Sequence, residues 1–206
     1  MAQPAAFSQS FKNSTHPTLA DLTAAPAIRV QAAPPQAAPL PAVERHSTST
    51  QLSSRQTFFA HPPSLNRVAA SQSGRYTPST YEFTLTIPAD AGQPLKAVTI
   101  AQATNLETIK FDVGQSKAFA GGRFAAGPEI PLASVGGSQP ANPGEVTVVF
   151  DQPLQPGSTV TVAIAANANP SFGGTYEFGV TAYPEGENGR GQFLGYGRLN
   201  FYSNSN

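Results

Sequence analysis

The residues best suited to hold a ligand lie in the loop Pro184–Gly191, which carries two carboxylates and an amide. Alternating acidic and amide oxygens on a glycine-rich loop suit Ca²⁺, a hard cation that takes about six to eight oxygen ligands. Glu185, Glu187 and Asn188 supply too few ligands, and Arg190 adds an opposing charge. We therefore treat these three residues as weak metal candidates, and we predict a solvated loop and no cofactor.

A catalytic constellation is not recognisable in the sequence. The histidines are His16, His46 and His61, and no two of them have a metal-ligand spacing such as i, i+4. A Ser–His–acid triad would have to use His61, and no Gly-x-Ser-x-Gly turn accompanies it. No second acid pairs by pattern with the carboxylates of the loop, as a glycosidase site would require. We predict that the protein is not an enzyme.

The elements that position these residues are predicted to be strands. Aromatic and β-branched residues alternate with small and polar ones, and Pro, Gly and Asn separate the runs. The predicted strands, of which the first two are the weaker, are 57–60, 65–70, 81–87, 97–102, 109–113, 145–150, 159–164, 175–183 and 193–201. Residues 114–144 are predicted to be a long irregular excursion, and a helical turn is possible near Asn105. The pattern predicts an all-β, immunoglobulin-like, two-sheet antiparallel β-sandwich.

Several residues near the C-terminus are predicted to be structural. Gly173 and Gly174 follow Asn169 and Pro170 at the start of a strand, where a positive φ or a bulge is expected. Tyr176 continues that strand.

The last predicted strand contains a charge and two glycines. Arg198 interrupts the strand, so we expect it to face solvent or to pair with Glu177 on the neighbouring strand. Gly195 and Gly197 would leave room for an aromatic ring from a facing strand.

The aromatic residues of the last two strands have two interpretations. Core packing would account for most of them. If several faced outward, they would form a stacking platform for polysaccharide. The set comprises Tyr176, Phe178, Tyr183, Phe193, Tyr196, Phe201 and Tyr202.

Residues 1–55 differ in composition from residues 56–206, which we assign to the sandwich domain. The first zone is rich in Pro and Ala and contains only Phe7 and Phe11 as aromatics. Such a segment cannot bury enough apolar surface to fold, so we predict a disordered or extended arm. Its short β-prone piece could add a strand to the sheet of a neighbouring copy. That piece consists of Ala27, Ile28, Arg29, Val30 and Gln31.

Charge and hydropathy exclude some classes of function. The formal net charge is zero, whereas nucleic-acid binders normally carry a basic excess, so we expect no nucleic-acid partner. No apolar run approaches the length of a membrane span. Residues 1–7 have neither a basic start nor an apolar run, so we expect no signal peptide in the chain as it stands.

Three blocks of the chain resemble a known family. They are Phe58–Leu65, Phe83–Ile100 and Asn169–Tyr202, of which Asn-Pro-x-Phe-Gly-Gly-Thr-Tyr at 169–176 is the most specific motif. Over residues 56–202 the chain is similar to a cyanobacterial exported family known as domain of unknown function 2808. The resemblance implies a periplasmic, cell-surface or extracellular β domain and no catalytic residues.

We therefore expect a structural or assembly role with itself or an envelope protein as partner. The alternative is a module that binds polysaccharide or Ca²⁺.

Overall fold

The computed structural model describes residues 56–136 and 142–202, and these form nine strands and no helix. The N-terminal zone 1–55, including the strand-donor segment Ala27–Gln31, lies outside the described residues, as do 203–206. The strands are β1 Ser64–Ala70, β2 Ser79–Thr86, β3 Leu95–Gln102, β4 Phe111–Ala120, β5 Leu132–Gly136, β6 Glu145–Leu154, β7 Thr159–Ala166, β8 Gly174–Pro184 and β9 Gln192–Phe201.

The strands form two antiparallel sheets that stack as an immunoglobulin-like sandwich. One sheet has four strands in the order β1-β2-β7-β4, and the other has five in the order β5-β6-β3-β8-β9. Each strand pair within the sheets is antiparallel. The predicted fold class is confirmed.

Period-two alternation of side chains builds the core between the sheets. On β2, Tyr81, Phe83 and Leu85 are fully buried, and Ile87 just beyond the strand is buried with them. β2 pairs with β7 over eight consecutive residues without a register shift, so their inward rows stay aligned. Each large side chain buried in this way contributes roughly 1.5–3 kcal/mol.

The prediction of an irregular excursion over 114–144 is wrong. β4 extends to Ala120, and β5 occupies Leu132–Gly136 within the same range. The alternation of β4 is hidden because its pairing with β7 jumps from Asp112 to Lys117, so that the residues between them form a wide bulge. Pairing with β7 therefore imposes a strand on a stretch with weak β-propensity.

Two weaker local predictions are also wrong. Residues 57–60 form no strand, and only Thr57 makes an isolated bridge, which is to Gly189. The predicted turn near Asn105 is not helical, because the Asn105 side chain accepts a hydrogen bond from the Leu106 backbone N–H at 2.7 Å. Such a bond favours a non-helical turn. No helix in the described ranges is long and apolar enough to span a bilayer.

Candidate functional site

A buried asparagine holds the loops at one end of the sandwich together. The Asn169 side chain is 2% exposed. Its Oδ1 accepts a hydrogen bond from the Tyr81 hydroxyl at 2.9 Å, and its Nδ2 donates to the carbonyls of Gln72 at 2.9 Å and Gly74 at 2.8 Å. One amide thus joins β2, the β1–β2 loop and the β7–β8 loop. We call Asn169 with its three partners Tyr81, Gln72 and Gly74 the latch.

The residues that follow Asn169 extend this latch. Pro170 is buried, and β8 begins at Gly174, whose φ is +139°. The strand entry thus uses the backbone freedom expected of a glycine there. The Tyr176 ring is buried, and its hydroxyl donates to the Phe172 carbonyl at 3.1 Å, which closes the motif on itself.

Hydrogen bonds and burial shift the pKa values of the ionisable groups in and around the latch. The hydroxyl of Ser171 donates to Glu107 at 2.6 Å, and the Ser171 backbone N–H donates to the same oxygen at 2.7 Å. These bonds hold the pKa of Glu107 below its usual value, the hydroxyl having the larger effect. Burial raises the pKa values of Tyr81 and Tyr176, so both phenols stay protonated as donors.

We call the solvent-facing side of the five-stranded sheet the outer face, and it carries an exposed aromatic pair. Phe193 and Tyr196 of β9 are 56% and 59% exposed. Their ring centroids are 5.0 Å apart at an interplanar angle of 68°. Both rings cover Gly179 of β8, where an added Cβ would lie 3.1 Å from Phe193 Cε2 and 3.4 Å from Tyr196 Cε1. The missing side chain lets the rings lie on the backbone of β8.

A bulge places the two rings on one face. Regular alternation would separate Phe193 and Tyr196, which are three positions apart, onto opposite faces. The register between β8 and β9 shifts there, so that Thr181 faces Phe193 while Val180 faces Gly195. Gly195 has φ +123°, a conformation that side chains rarely adopt. The backbone of one glycine thus creates the aromatic pair.

Small and polar residues surround the pair on the outer face. Thr147, Thr99 and Thr181 lie side by side across three strands, and the hydroxyls of Thr99 and Thr147 are 2.7 Å apart. Two threonines of this row, Thr99 and Thr147, line a shallow basin of about 510 Å³. The basin is lined by Lys96, Ala97, Thr99, Ser134, Glu145, Thr147, Val149 and Tyr183.

The aromatic set divides between core and surface. Tyr176, Phe178 and Phe201 are buried in the core, and Tyr183 is half-buried. Phe193, Tyr196 and Tyr202 are exposed. Core packing therefore accounts for three of the seven aromatic residues, and not for most of them as expected.

The prediction that Gly195 and Gly197 of β9 leave room for an aromatic ring is wrong. An added Cβ at Gly197 would lie 2.2 Å from Cγ2 of Val68 on β1, and a Cβ at Gly195 would meet nothing. Gly197 therefore accommodates a β-branched side chain from the other sheet.

The predicted cross-strand pair of Arg198 and Glu177 forms, with Arg198 Nε 2.7 Å from the carboxylate. The Arg198 side chain is 71% exposed, so the pair contributes at most about 1 kcal/mol.

The metal candidates are not brought together. Glu185, Glu187 and Asn188 all lie exposed in the β8–β9 loop. The Glu187 carbonyl accepts a bond from the Thr57 hydroxyl at 3.1 Å. Within 56–136 and 142–202, no group of three or more His, Cys, Asp or Glu residues is placed to hold a metal ion.

His61 is the histidine that the described residues contain, and it lies on the surface. Its Nδ1 is 3.2 Å from a carboxylate oxygen of Asp90, and both side chains are more than 60% exposed, at 64% and 71%. His16 and His46 lie outside the described residues.

Sequence reasoning missed Arg75, Tyr76 and Phe172. Tyr76 and Phe172 are exposed to 68% and 54%, and the Arg75 guanidinium lies 5.7 Å from the centre of the Tyr76 ring. The sequence signal available was weak, namely an aromatic after Arg75 in a loop rich in Ser and Gly.

The geometry defines an immunoglobulin-like β-sandwich with a buried polar latch at one end and an aromatic pair on one sheet. Residues 56–201 match the family described as "Protein of unknown function (DUF2808)", and the chain belongs to this family. No curated protein matches the chain.

Solved structures to which the chain is similar share little sequence with it. An uncharacterised protein from Nocardia farcinica with an immunoglobulin-like fold is 14% identical, with a TM-score of 0.40 over 65% of this chain and 95% of that one. The C-terminal domain of the Streptococcus agalactiae AgI/II polypeptide BspA is 14% identical, with a TM-score of 0.39 over 69% and 50%. A DUF4466 family protein from Parabacteroides merdae is 13% identical, with a TM-score of 0.37 over 72% and 45%.

Proposed function

We propose that the protein is a non-enzymatic component of the cell envelope or extracellular space that binds polysaccharide through the outer face. The observation that carries this proposal is the exposed pair Phe193 and Tyr196, held on the backbone of Gly179. The sandwich does not need these rings for its core, because that is already filled by buried residues from both sheets. Contiguous exposed apolar surface marks contact sites, and the two rings form one such surface because they pack on each other.

The surroundings of the pair suit a sugar polymer. The apolar C–H face of a pyranose ring packs on an aromatic ring, and its hydroxyls exchange hydrogen bonds with polar neighbours. The threonine row formed by Thr147, Thr99 and Thr181 supplies hydroxyls beside Phe193. Lys96 and Glu145 add charged groups at the basin. An open, shallow surface of this type accommodates an extended chain better than a small molecule.

Binding rather than catalysis is supported by the state of the ionisable groups in the described residues. The groups with shifted pKa values are Tyr81, Tyr176 and Glu107, and all three make structural hydrogen bonds in and around the latch. The carboxylates of Glu177, Glu82 and Glu129 pair with cations on the surface.

The experiment is to measure binding to an immobilised glycan panel by the wild type and by Phe193→Ala/Tyr196→Ala. We expect the wild type to bind and the double variant to lose about tenfold or more in affinity, since two stacking contacts are removed. Phe124→Ala is the matched control, because Phe124 is an exposed aromatic, 48% accessible, in the loop after β4. Equal binding by the double variant and the control would contradict the proposal.

A second candidate is self-assembly, in which Ala27–Gln31 of the arm adds a strand to a neighbouring copy. What favours it is a sheet edge: β5 is paired only with β6 among the described residues. An exposed edge presents backbone groups that another strand can pair with. An arm of 55 residues could extend up to about 180 Å, which is ample to reach another molecule.

Assembly is tested by light scattering of the full chain, of a variant lacking residues 1–55, and of two proline variants. Arg29→Pro removes an N–H donor from the centre of the predicted strand, whereas Ala37→Pro lies in a stretch that is already proline-rich. We expect oligomers of the full chain and of Ala37→Pro, and monomers of the other two. Unchanged association after the deletion would rule the arm out.

The proposed location is the periplasm, cell surface or surrounding medium of a cyanobacterium, following the family resemblance of residues 56–202. Immunoblotting of cytoplasmic, periplasmic and medium fractions would test it, and a purely cytoplasmic signal would refute it.

A further inference from the structure

At the end of the sandwich where Asn169 lies, one arginine contacts an exposed aromatic ring and the backbone at or beside two other exposed aromatic residues. We call Arg75, Tyr76, Phe172 and Tyr202 the arginine cluster. The Arg75 guanidinium lies 5.7 Å from the centre of the Tyr76 ring. Its Nη1 donates to the carbonyl of Ser171, next to Phe172, at 3.0 Å, and the Arg75 backbone N–H donates to the Tyr202 carbonyl at 3.3 Å.

The rings of the arginine cluster are not held there by core packing. Tyr76, Phe172 and Tyr202 are 68%, 54% and 61% exposed. Tyr76 also has φ +60°, a left-handed conformation that glycine adopts without strain and tyrosine does not. A strained backbone that carries an exposed ring is a poor solution for folding. It is consistent with a ring that is used outside the fold.

The Arg75 guanidinium has no carboxylate partner among the described residues. None of the four ion pairs that the described residues make includes Arg75. Its Nε is buried without a hydrogen-bond partner among those residues. Arg75 is thus a cation beside the Tyr76 ring whose hydrogen-bonding capacity is only partly used.

Tyr202 of the arginine cluster continues the solvent-facing row of β9. Alternation along β9 puts Tyr196, Arg198 and Asn200 on the solvent side, and Tyr202 follows in the same phase. The distance from Phe193 to Tyr202 along an extended strand is about 30 Å. One line of aromatic and polar side chains therefore runs from the aromatic pair to Tyr202, whose carbonyl accepts the hydrogen bond from the Arg75 backbone N–H.

We infer that the arginine cluster recognises a carboxylate on the polysaccharide, so that the ligand class is an acidic, uronate-bearing polymer. This inference rests on the proposed function of the outer face. The guanidinium supplies a charge-assisted hydrogen bond to the carboxylate. The rings of the cluster pack on the sugar that bears the carboxylate. The aromatic pair Phe193 and Tyr196 contacts the polymer irrespective of its charge.

The test compares polygalacturonate with its fully methyl-esterified form, because the two polymers differ only at the carboxyl group, which is an anionic carboxylate in one and a neutral methyl ester in the other. Binding is measured at low and high salt for wild type, Arg75→Gln, Arg75→Lys, Tyr76→Gly and Phe193→Ala. We expect wild type to prefer the acid form by about five- to tenfold, the size of one charge-assisted contact, and the preference to shrink with salt. Arg75→Gln should abolish the preference and Arg75→Lys should keep part of it.

Two controls separate binding from folding. Tyr76→Gly relieves the strained φ, so its melting temperature should equal or exceed that of wild type while acid binding falls. Phe193→Ala should weaken both polymers alike and leave the preference intact.

Retention of the acid preference in Arg75→Gln would overturn this inference alone. The inference would also fail if Arg75→Gln lost the self-association that light scattering detects in the wild type and bound both polymers as the wild type does. The arginine cluster would then contact a second copy of the protein and not a polysaccharide. If neither polymer is bound while the wild type binds other glycans of the panel, the inference fails and the proposed function stands. If Phe193→Ala binds each polymer as tightly as the wild type does, the proposed function fails and the inference with it.

Discussion

Replacement of Asn169 by alanine removes the side chain that joins three segments of the sandwich. The amide makes three side-chain hydrogen bonds, with the Tyr81 hydroxyl and with the carbonyls of Gln72 and Gly74. Asn169→Ala therefore leaves one donor and two acceptors without their partner. These three groups differ in how easily water can replace the amide, and this difference sets the cost.

The largest share of the cost comes from Tyr81. Its side chain is fully buried, so its hydroxyl would stay unpaired at a cost of about 1–3 kcal/mol. The two carbonyls belong to residues on a partly exposed loop and can bind water, so each loses only about 0.5 kcal/mol. The expected decrease in the free energy of unfolding is about 3 kcal/mol, a large part of the total stability of a typical domain.

Urea denaturation of wild type, Asn169→Ala, Tyr81→Phe and the double variant measures this cost and its origin. Tyr81→Phe should cost about 1–2 kcal/mol in the wild type, because it deprives Oδ1 of Asn169 of its donor. In the Asn169→Ala background the same change should be neutral or stabilising, because the hydroxyl has already lost its acceptor. The coupling energy should therefore be about 1–3 kcal/mol.

The matched control is Asn167→Ala, since Asn167 is an exposed asparagine on the same loop. Its effect should stay within about 0.5 kcal/mol. A cost below about 1 kcal/mol for Asn169→Ala, or equal costs of Tyr81→Phe in both backgrounds, would refute the latch.

Two further changes test other contacts. Gly197→Ala should lower the free energy of unfolding by about 1–3 kcal/mol, measured by thermal or urea unfolding, because the new Cβ would lie 2.2 Å from Val68 Cγ2. The control is Gly122→Ala, whose new Cβ would meet nothing within 4 Å and which should be neutral. Equal effects of the two substitutions would contradict the close packing of β1 on β9. The hydrogen bond from the Ser171 hydroxyl lowers the pKa of Glu107 in the folded protein. The ionised carboxylate therefore stabilises the fold above the pKa that Glu107 has in the unfolded chain, and this stabilisation is lost as the pH falls through the pKa of the folded state. Glu107→Gln should therefore be less stable than wild type near neutral pH and equal to it in acid. Urea midpoints measured over a pH series test this, and a difference that stays constant with pH would show that ionisation of Glu107 does not contribute to stability.

Local pattern predicted the parts of the fold in which each strand follows a regular period. The row Tyr81, Phe83, Leu85 and Ile87 alternates without interruption, and all four side chains are buried. β4 was only partly predicted, since its pairing jumps from Asp112 to Lys117 and no period survives a bulge of that width.

By itself, the sequence determined the sheet-forming runs, the turn positions and the Asn-Pro motif, because these depend on near neighbours in the chain. Only the tertiary structure decided what the motif and the aromatics do. The Asn169 side chain bonds a carbonyl 97 residues away, and Phe193 and Tyr196 share a face only because the backbone bulges at Gly195. Contacts over such separations, and a change of phase within one strand, arise from pairing and packing that no local period contains.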